Sequence, residues 1–184
     1  IFGHTSHGQL GVEPDENVIY KAICHPWFHK KHSDLRIQHI SCGLRHSLCV
    51  DASGRAYLFG DNQYGQIGNG KCNTIQYTPY MLQWNGGIVY GECGEMHTVL
   101  LTGSNELVTF GRNLHGECSS LMQRFKTVSS GHVVSRELEM KINDDDVIQS
   151  IVVSKGCTVI IVNMIQTRLN RIQTDYSQLH SERD

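Results

Sequence analysis

Histidine and cysteine are the side chains of this sequence with the clearest capacity for chemistry. There are 11 His and 7 Cys in 184 residues, and the densest group is Cys24, His25, His29 and His32. These four donors suit zinc, but structural zinc sites usually draw two ligands from each of two separated turns. No matching second pair follows at that spacing. The pattern favours a surface insertion over residues 24–32 without a metal, and zinc binding is the alternative.

Two further histidines recur in one context, since His46 and His97 each follow a cysteine, Cys42 or Cys93, by four residues. A catalytic base would need a nucleophile or an acid at the same site, and the motif supplies neither. Recurrence favours buried imidazoles that bond backbone groups at a turn. The shared cysteine position predicts small buried thiols and no disulfide. We therefore predict no catalytic residue, no cofactor and no metal site.

The elements that would position these side chains belong to a repeat. A glycine-rich phrase that begins Phe-Gly occurs over residues 2–11, 59–68 and 110–118. A second phrase, Ile-Ser-Cys-Gly-Leu-Arg-His-Ser-Leu at residues 40–48, recurs in related form at residues 90–99. The second phrase returns after 51 residues, and so does the first phrase from Phe59 to Phe110, whereas its first interval, from Phe2 to Phe59, is 57 residues. A common period of this length indicates a repeat architecture.

Recurrence at matching offsets predicts a structural role for each shared position, and for the glycines it indicates tight turns or close backbone approach. These positions are Gly3, Gly8, Gly11, Cys42, Gly43, His46, Phe59, Gly60, Gly65, Gly68, Cys93, Gly94, His97, Phe110, Gly111 and Gly116.

Between the two phrases the sequence predicts a strand hairpin. The β-prone runs 47–50 and 56–59 flank a turn-forming segment at residues 51–55. Apolar residues do not recur three and four apart inside the units, so a helical solenoid is disfavoured. A unit of about fifty residues with several short strands is typical of a β-propeller blade. The predicted fold class is all-β.

The paired motifs at residues 40–48 and 59–68, joined by Gly-x-x-Tyr-x-Phe-Gly at residues 54–60, resemble the repeat of the regulator of chromosome condensation family. This resemblance implies part of a seven-bladed propeller, with about three four-stranded antiparallel blades in this chain. We assign residues 1–163 to propeller repeats, of which residues 119–163 are degenerate.

The end of the chain departs from the repeat. Apolar residues spaced three and four apart from Ile165 to Leu179 predict an amphipathic helical tail over residues 164–184. This tail would dock on the propeller or on a partner. The repeats are too few for a ring of the family's size, so we expect the C-terminal part of a longer propeller. A second copy that fills the ring is the alternative.

Charge and composition restrict the class of partner. Sixteen Lys and Arg against eighteen Asp and Glu give a net charge of −2, and the basic residues are spread along the chain. A strong nucleic-acid face is therefore not expected in this segment. The most apolar stretch, residues 147–165, is too polar for a membrane span. An odd number of cysteines without metal-pair spacing favours a reducing intracellular setting, cytoplasmic or nuclear.

These observations favour a non-catalytic protein-interaction scaffold. The candidate partner-facing loops carry Asp61 and Asn62 in one unit and Arg112 and Asn113 in the next, because the residues after Phe-Gly vary between units. The family resemblance implies protein partners. It leaves two alternatives, a guanine-nucleotide exchange regulator of a Ran-like small GTPase and the repeat module of a ubiquitin ligase.

Overall fold

Short β-strands dominate the described part of the chain, which in this computed structural model comprises residues 1–14, 18–31, 34–118, 127–133 and 147–163. The tail helix predicted for residues 164–184 lies outside it. No helix in the described part is long and apolar enough to cross a bilayer. The elements are β1 (Gly3–His4), β2 (Val18–Ile19), a π-helical turn (Trp27–Lys31), β3 (Ile37–Cys42), β4 (His46–Asp51), β5 (Ala56–Asn62), β6 (Thr74–Met81), β7 (Ile88–Cys93), β8 (His97–Thr102), β9 (Leu107–Arg112), β10 (Thr127–Val133), β11 (Val147–Ser154) and β12 (Cys157–Asn163).

The strands form four antiparallel sheets. Two sheets have four strands in the order of the chain, β3-β4-β5-β6 and β7-β8-β9-β10. Two more, β1-β2 and β11-β12, have two strands each within the described residues. The all-β propeller class predicted from the sequence is confirmed. The described part contains two complete blades and two half-blades.

Strand boundaries follow the sequence repeat. The strands β3, β4 and β5 begin at Ile37, His46 and Ala56, and β7, β8 and β9 begin 51 residues later in each case. The cross-strand register repeats as well, since β4 pairs with β5 as β8 pairs with β9. Residues 35–60 and 86–111 therefore have the same local structure, as the shared motifs predict.

The core lies between successive sheets. Every residue of β4 and β5 is buried, because these middle strands are covered on both faces. Leu48 and Leu58 of the first four-stranded sheet form one cluster with Leu100 and Val108 of the second, and all four are fully buried. Burial of each such side chain contributes about 1.5–3 kcal/mol to stability.

The half-blade β11-β12 packs on the second four-stranded sheet. Ile148 and Ile151 of β11 form a buried cluster with Val99 and Leu107 of that sheet. The sequence motif is degenerate here, yet apolar residues persist at the positions that face the preceding sheet. β11 therefore packs on the second four-stranded sheet as that sheet packs on the first.

Glycine is required where the third strand of each sheet passes the second. Gly60 and Gly111 have φ of +115° and +116°, a region that residues with a Cβ rarely adopt. A Cβ at Gly60 would also lie 2.6 Å from the Cα of His46, and one at Gly111 would lie 2.6 Å from the Cα of His97. The backbones of neighbouring strands thus approach too closely for any side chain.

The insertion predicted at residues 24–32 is described as far as residue 31, and it packs against the first four-stranded sheet. His32 lies outside the described residues. Its π-helical turn places the rings of Trp27 and Phe28 5.5 Å and 5.8 Å from the ring of Tyr57. Cys24 is exposed. Among the described residues, no group of three or more His, Cys, Asp or Glu side chains is arranged to hold a metal ion.

Candidate protein-interaction face

One edge of the sheets gathers the turns and the glycine-rich loops. We call it the loop face, and it comprises the turns 43–45, 94–96 and 155–156 with the loops 5–11, 63–70 and 113–118. Within a unit, the Asp61 N–H donates to the Arg45 carbonyl at 2.8 Å. Between units, the Leu44 N–H donates to the Glu95 carbonyl at 3.2 Å. Backbone hydrogen bonds therefore make the loop face continuous from one sheet to the next.

Buried hydrogen bonds join each glycine-rich loop to the following sheet. We call each set of histidine, hydroxyl and loop carbonyl a relay, and the first one contains His46. His46 Nε2 lies 3.0 Å from Thr98 Oγ1, whose hydroxyl donates to the Gln66 carbonyl at 2.8 Å. Because the threonine proton goes to the carbonyl, the imidazole is the donor at Nε2. The imidazole therefore bonds a hydroxyl of the next sheet, whereas the sequence suggested backbone groups at a turn of its own sheet.

The relay recurs one unit later. His97 Nε2 lies 3.1 Å from Thr158 Oγ1, whose hydroxyl donates to the Glu117 carbonyl at 3.1 Å. A third hydroxyl, from Ser47, donates to the Gln9 carbonyl at 2.8 Å. The residue after each repeated histidine position is Ser or Thr, a signal in the sequence that our motif reading missed. These hydroxyls connect all four described units.

Burial keeps both histidines neutral. His46 and His97 are 1% and 0% exposed. Desolvation, with a further contribution from His97, lowers the pKa of His46 to about 3. Desolvation also lowers the pKa of His97 to about 4, against the opposing effect of Glu117. A neutral imidazole with an Nε2 proton is the form that the relay requires.

The side chain of a glutamine or glutamate accepts a backbone hydrogen bond inside each glycine-rich loop. The sequence analysis did not predict this hydrogen bond. The side-chain oxygens of Gln9, Gln66 and Glu117 accept the backbone N–H two residues earlier, at 2.9, 2.8 and 2.7 Å. Recurrence of Gln or Glu after the second glycine was the available signal. Each loop therefore has a fixed backbone conformation on the loop face.

Of the four residues predicted to face a partner, three are buried and the fourth, Arg112, is partly exposed. Asp61, Asn62 and Asn113 are buried, with exposed fractions of 7%, 0% and 0%. The side-chain oxygens of Asn62 and Asn113 accept the backbone N–H groups of Ile67 and Cys118 at 3.0 and 2.9 Å. An amide satisfies buried loop backbone, so these asparagines shape the loops instead of contacting solvent.

Arg112 takes part in an ion-pair network inside the loop face. Its guanidinium lies 2.9 Å from Glu117 Oε1 and 3.1 Å from Glu95 Oε2. Burial alone would raise the pKa of Glu117, but backbone N–H groups and Arg112 hold it below its usual value. The preceding unit has Asp61 and Gln66 at the two equivalent positions. Arg112 and Glu117 thus place an ion pair where the preceding unit has an aspartate and a glutamine.

Other side chains of the loop face are open to solvent. Leu44 and Leu114 are 53% and 48% exposed, and Arg45 is also exposed. A cleft of about 400 Å³ on the same face is lined by residues that include Arg45, Asp61 and Gln63. Apolar side chains next to charged ones on a rigid edge are the composition that a protein partner can bind.

The two equivalent cysteines differ in burial. Cys93 is buried, and desolvation raises the pKa of its thiol. Cys42 is exposed, so the prediction that it is buried was wrong. The Cys93 N–H donates to the Ser41 hydroxyl of the preceding sheet at 3.0 Å, and burial at this position depends on such a neighbour. All seven cysteines lie in the described residues and all are free thiols.

Known proteins share this repeat. The model of the regulator of chromosome condensation (RCC1) repeat matches residues 1–50 and 53–101. The chain is 30% identical over 121 residues to an RCC1 repeat-containing protein of Dictyostelium discoideum, covering 64% of this chain and 24% of that protein. It is 27% identical over 161 residues to the guanine nucleotide exchange factor SRM1 of Saccharomyces cerevisiae, covering 85% of this chain and 31% of SRM1.

The fold agrees with these matches. The crystal structure of human WBSCR16 superposes with a TM-score of 0.72 at 22% identity, covering 87% of this chain and 39% of WBSCR16. The chain therefore spans 24% to 39% of the length of these proteins. The repeat model matches more than half of the chain, and the matched residues include the first relay (His46, Thr98 and Gln66) and the loops at residues 5–11 and 63–70. The chain belongs to the regulator of chromosome condensation (RCC1) repeat family.

Proposed function

We propose that this chain is a non-catalytic scaffold that binds a protein partner through its loop face. The observation that carries the proposal is the exposure of Leu44 and Leu114 on backbone that hydrogen bonds hold in place. The Leu44 N–H donates to the Glu95 carbonyl, and the loop of Leu114 is closed by the bond from the Cys118 N–H to the Asn113 side chain. A preorganised surface loses little conformational entropy when it binds. The seven free thiols support an intracellular setting for this interaction.

Site-specific photocrosslinking in cells tests the loop face. A benzoylphenylalanine placed at position 44 or 114 is expected to crosslink one and the same protein. The matched control is position 89, because Val89 is 50% exposed but lies on β7, outside the loop face. With the purified partner, Leu44→Asp and Leu114→Asp should each weaken binding at least tenfold. Equal crosslinking from position 89, or none from positions 44 and 114, would contradict the proposal.

Guanine-nucleotide exchange is the second candidate function, favoured by the similarity to SRM1 over 85% of this chain. We expect the 184-residue chain not to accelerate nucleotide release from a Ran-like GTPase. Its sequence corresponds to 31% of SRM1, and stabilising a nucleotide-free GTPase calls for a preorganised surface. Release of a fluorescent nucleotide measures the rate, with full-length SRM1 as positive control. A saturable increase of tenfold or more would favour exchange over the scaffold.

A further inference from the structure

Two asparagines of the chain are followed directly by glycine, at residues 69–70 and 85–86. In such a pair the main-chain nitrogen of the glycine can attack the side-chain carbonyl of the asparagine, because glycine has no Cβ that obstructs the approach. The reaction requires a carboxamide that is free to turn toward that nitrogen. The structure gives the two pairs different freedom.

The carboxamide of Asn85 is free to turn. Asn85 lies in the linker between β6 and β7, and it is exposed. Neither its side chain nor the N–H of Gly86 makes a hydrogen bond to any part of the chain that the structure describes. The side chain can therefore approach the Gly86 nitrogen without breaking a bond to the protein.

The carboxamide of Asn69 is held inside a glycine-rich loop. Its Oδ1 accepts the Lys71 N–H and the Asn62 side-chain amide, both at 3.0 Å. The bond from the N–H two residues later makes an Asx turn, which fixes the side chain over its own backbone. Asn62 is fully buried, so this second partner is also fixed. A turn of the carboxamide toward Gly70 would break both bonds.

We propose that Asn85 is a site of spontaneous deamidation. The Gly86 nitrogen bonds to Cγ of Asn85, the side-chain nitrogen leaves as ammonia with the proton of the Gly86 N–H, and a succinimide ring forms. Water then opens the ring. Cleavage of the bond between Cγ and the Gly86 nitrogen gives aspartate, and cleavage at the main-chain carbonyl gives isoaspartate. The overall change consumes one water and releases one ammonia.

The modification lies at the junction of the two complete blades. Both ends of the linker are fixed, because the N–H groups of Leu82 and Ile88 donate to carbonyls of the first four-stranded sheet and its turn, each at 2.9 Å. Isoaspartate inserts one further carbon into the main chain between these fixed ends. Asn85 also lines a cleft of about 210 Å³ together with Arg55. Either product therefore adds a carboxylate, ionised at neutral pH, to this cleft.

Peptide mass spectrometry of the 184-residue chain, incubated in mildly alkaline buffer at physiological temperature, measures the reaction. In the folded chain, Asn85 should deamidate at least tenfold faster than Asn69. In guanidinium chloride the loop that holds Asn69 is lost, and the two rates should become similar. Methyl transfer by an L-isoaspartyl methyltransferase identifies the isoaspartate among the products.

Two neighbouring glycines supply a test variant and a matched control. Gly86→Ala should slow deamidation of Asn85 at least tenfold, because a Cβ then obstructs the attacking nitrogen. The fold accepts it, since Gly86 has no positive φ and the Cβ would lie no closer than 3.4 Å, from Trp84 Nε1. Gly87→Ala should leave the rate unchanged, because its Cβ would meet no described atom within 4 Å and the Gly86 nitrogen stays open.

The comparison of the two asparagines in the unmodified chain keeps the proposal testable whether or not Gly86→Ala folds. An Asn85 that stays intact in the folded chain would overturn the proposal, and so would an Asn69 that reacts equally fast there. Deamidation that Gly86→Ala does not slow, that Gly87→Ala slows equally, or that yields no isoaspartate would exclude the succinimide route.

Discussion

Lowering the pH from 7.5 to 5.0 is expected to reduce the free energy of unfolding by about 4 kcal/mol, through His46 and His97. Their folded pKa values of about 3 and about 4 lie below the unfolded value of 6.5. Below pH 6.5 the unfolded chain therefore binds more protons than the folded chain, and stability falls. Each histidine contributes a loss of about 2 kcal/mol at pH 5.0, from 1.36 kcal/mol per pH unit.

The pH window separates the histidines from the acidic groups. The stability due to these imidazoles is fully present above pH 6.5 and is lost as the pH falls toward 4 and 3. The lowered pKa values of Asp51 and Glu117 act with the same sign, but at lower pH, because carboxyl groups titrate there. Burial also lowers the pKa of His25, which adds to the loss in the same window. Urea denaturation at a series of pH values between 5.0 and 7.5 measures the effect.

Alanine variants test whether His46 and His97 cause the loss of stability at low pH. His46→Ala and His97→Ala should each cost about 1–3 kcal/mol at pH 7.5, since each removes a buried hydrogen-bond donor. Each should also remove about half of the loss seen at pH 5.0. Exposed His4→Ala is the control and should change neither quantity. A double variant of His46 and His97 that keeps the full loss would show that other groups cause it.

Arg112→Ala is expected to destabilise the fold by about 3 kcal/mol, because it leaves the buried carboxylate of Glu117 without its cation. The side chain of Glu117 is fully buried, and its Oε1 lies 2.9 Å from the guanidinium. Urea denaturation at pH 7.5 measures the loss. Lys155→Ala is the control, since Lys155 is 81% exposed and 3.8 Å from Glu95, and it should cost less than about 1 kcal/mol.

The glycine-rich loop of the preceding unit suggests two substitutions that together should restore the stability lost on removing Arg112. Arg112→Asp combined with Glu117→Gln copies Asp61 and Gln66 of the preceding unit, where the same loop conformation is held without the buried ion pair. We expect this double variant to be within about 1 kcal/mol of the unmodified chain. If the two substitutions were instead additive, the destabilisation would come from lost packing of the arginine and not from an unpaired carboxylate.

The sequence by itself determined the repeat and the strands. Two phrases with a period of 51 residues placed the two middle strands of each complete blade, because turn glycines and β-prone runs act over a few residues. The burial of His46 and His97 could also be predicted from the sequence. Both occupy the same position of the repeat, and a residue type that recurs there indicates the same structural surroundings in each unit.

The tertiary structure decided which partners these residues meet. His46 bonds a hydroxyl 52 residues later, and that hydroxyl bonds a carbonyl of a third segment. Cys42 and Cys93 share a motif position, yet only Cys93 is buried, because its surroundings come from the preceding sheet. Asp61 and Arg112 follow the same Phe-Gly pair but meet different neighbours. Burial and pairing at these positions depend on segments about fifty residues away in sequence, and only their packing brings those segments together.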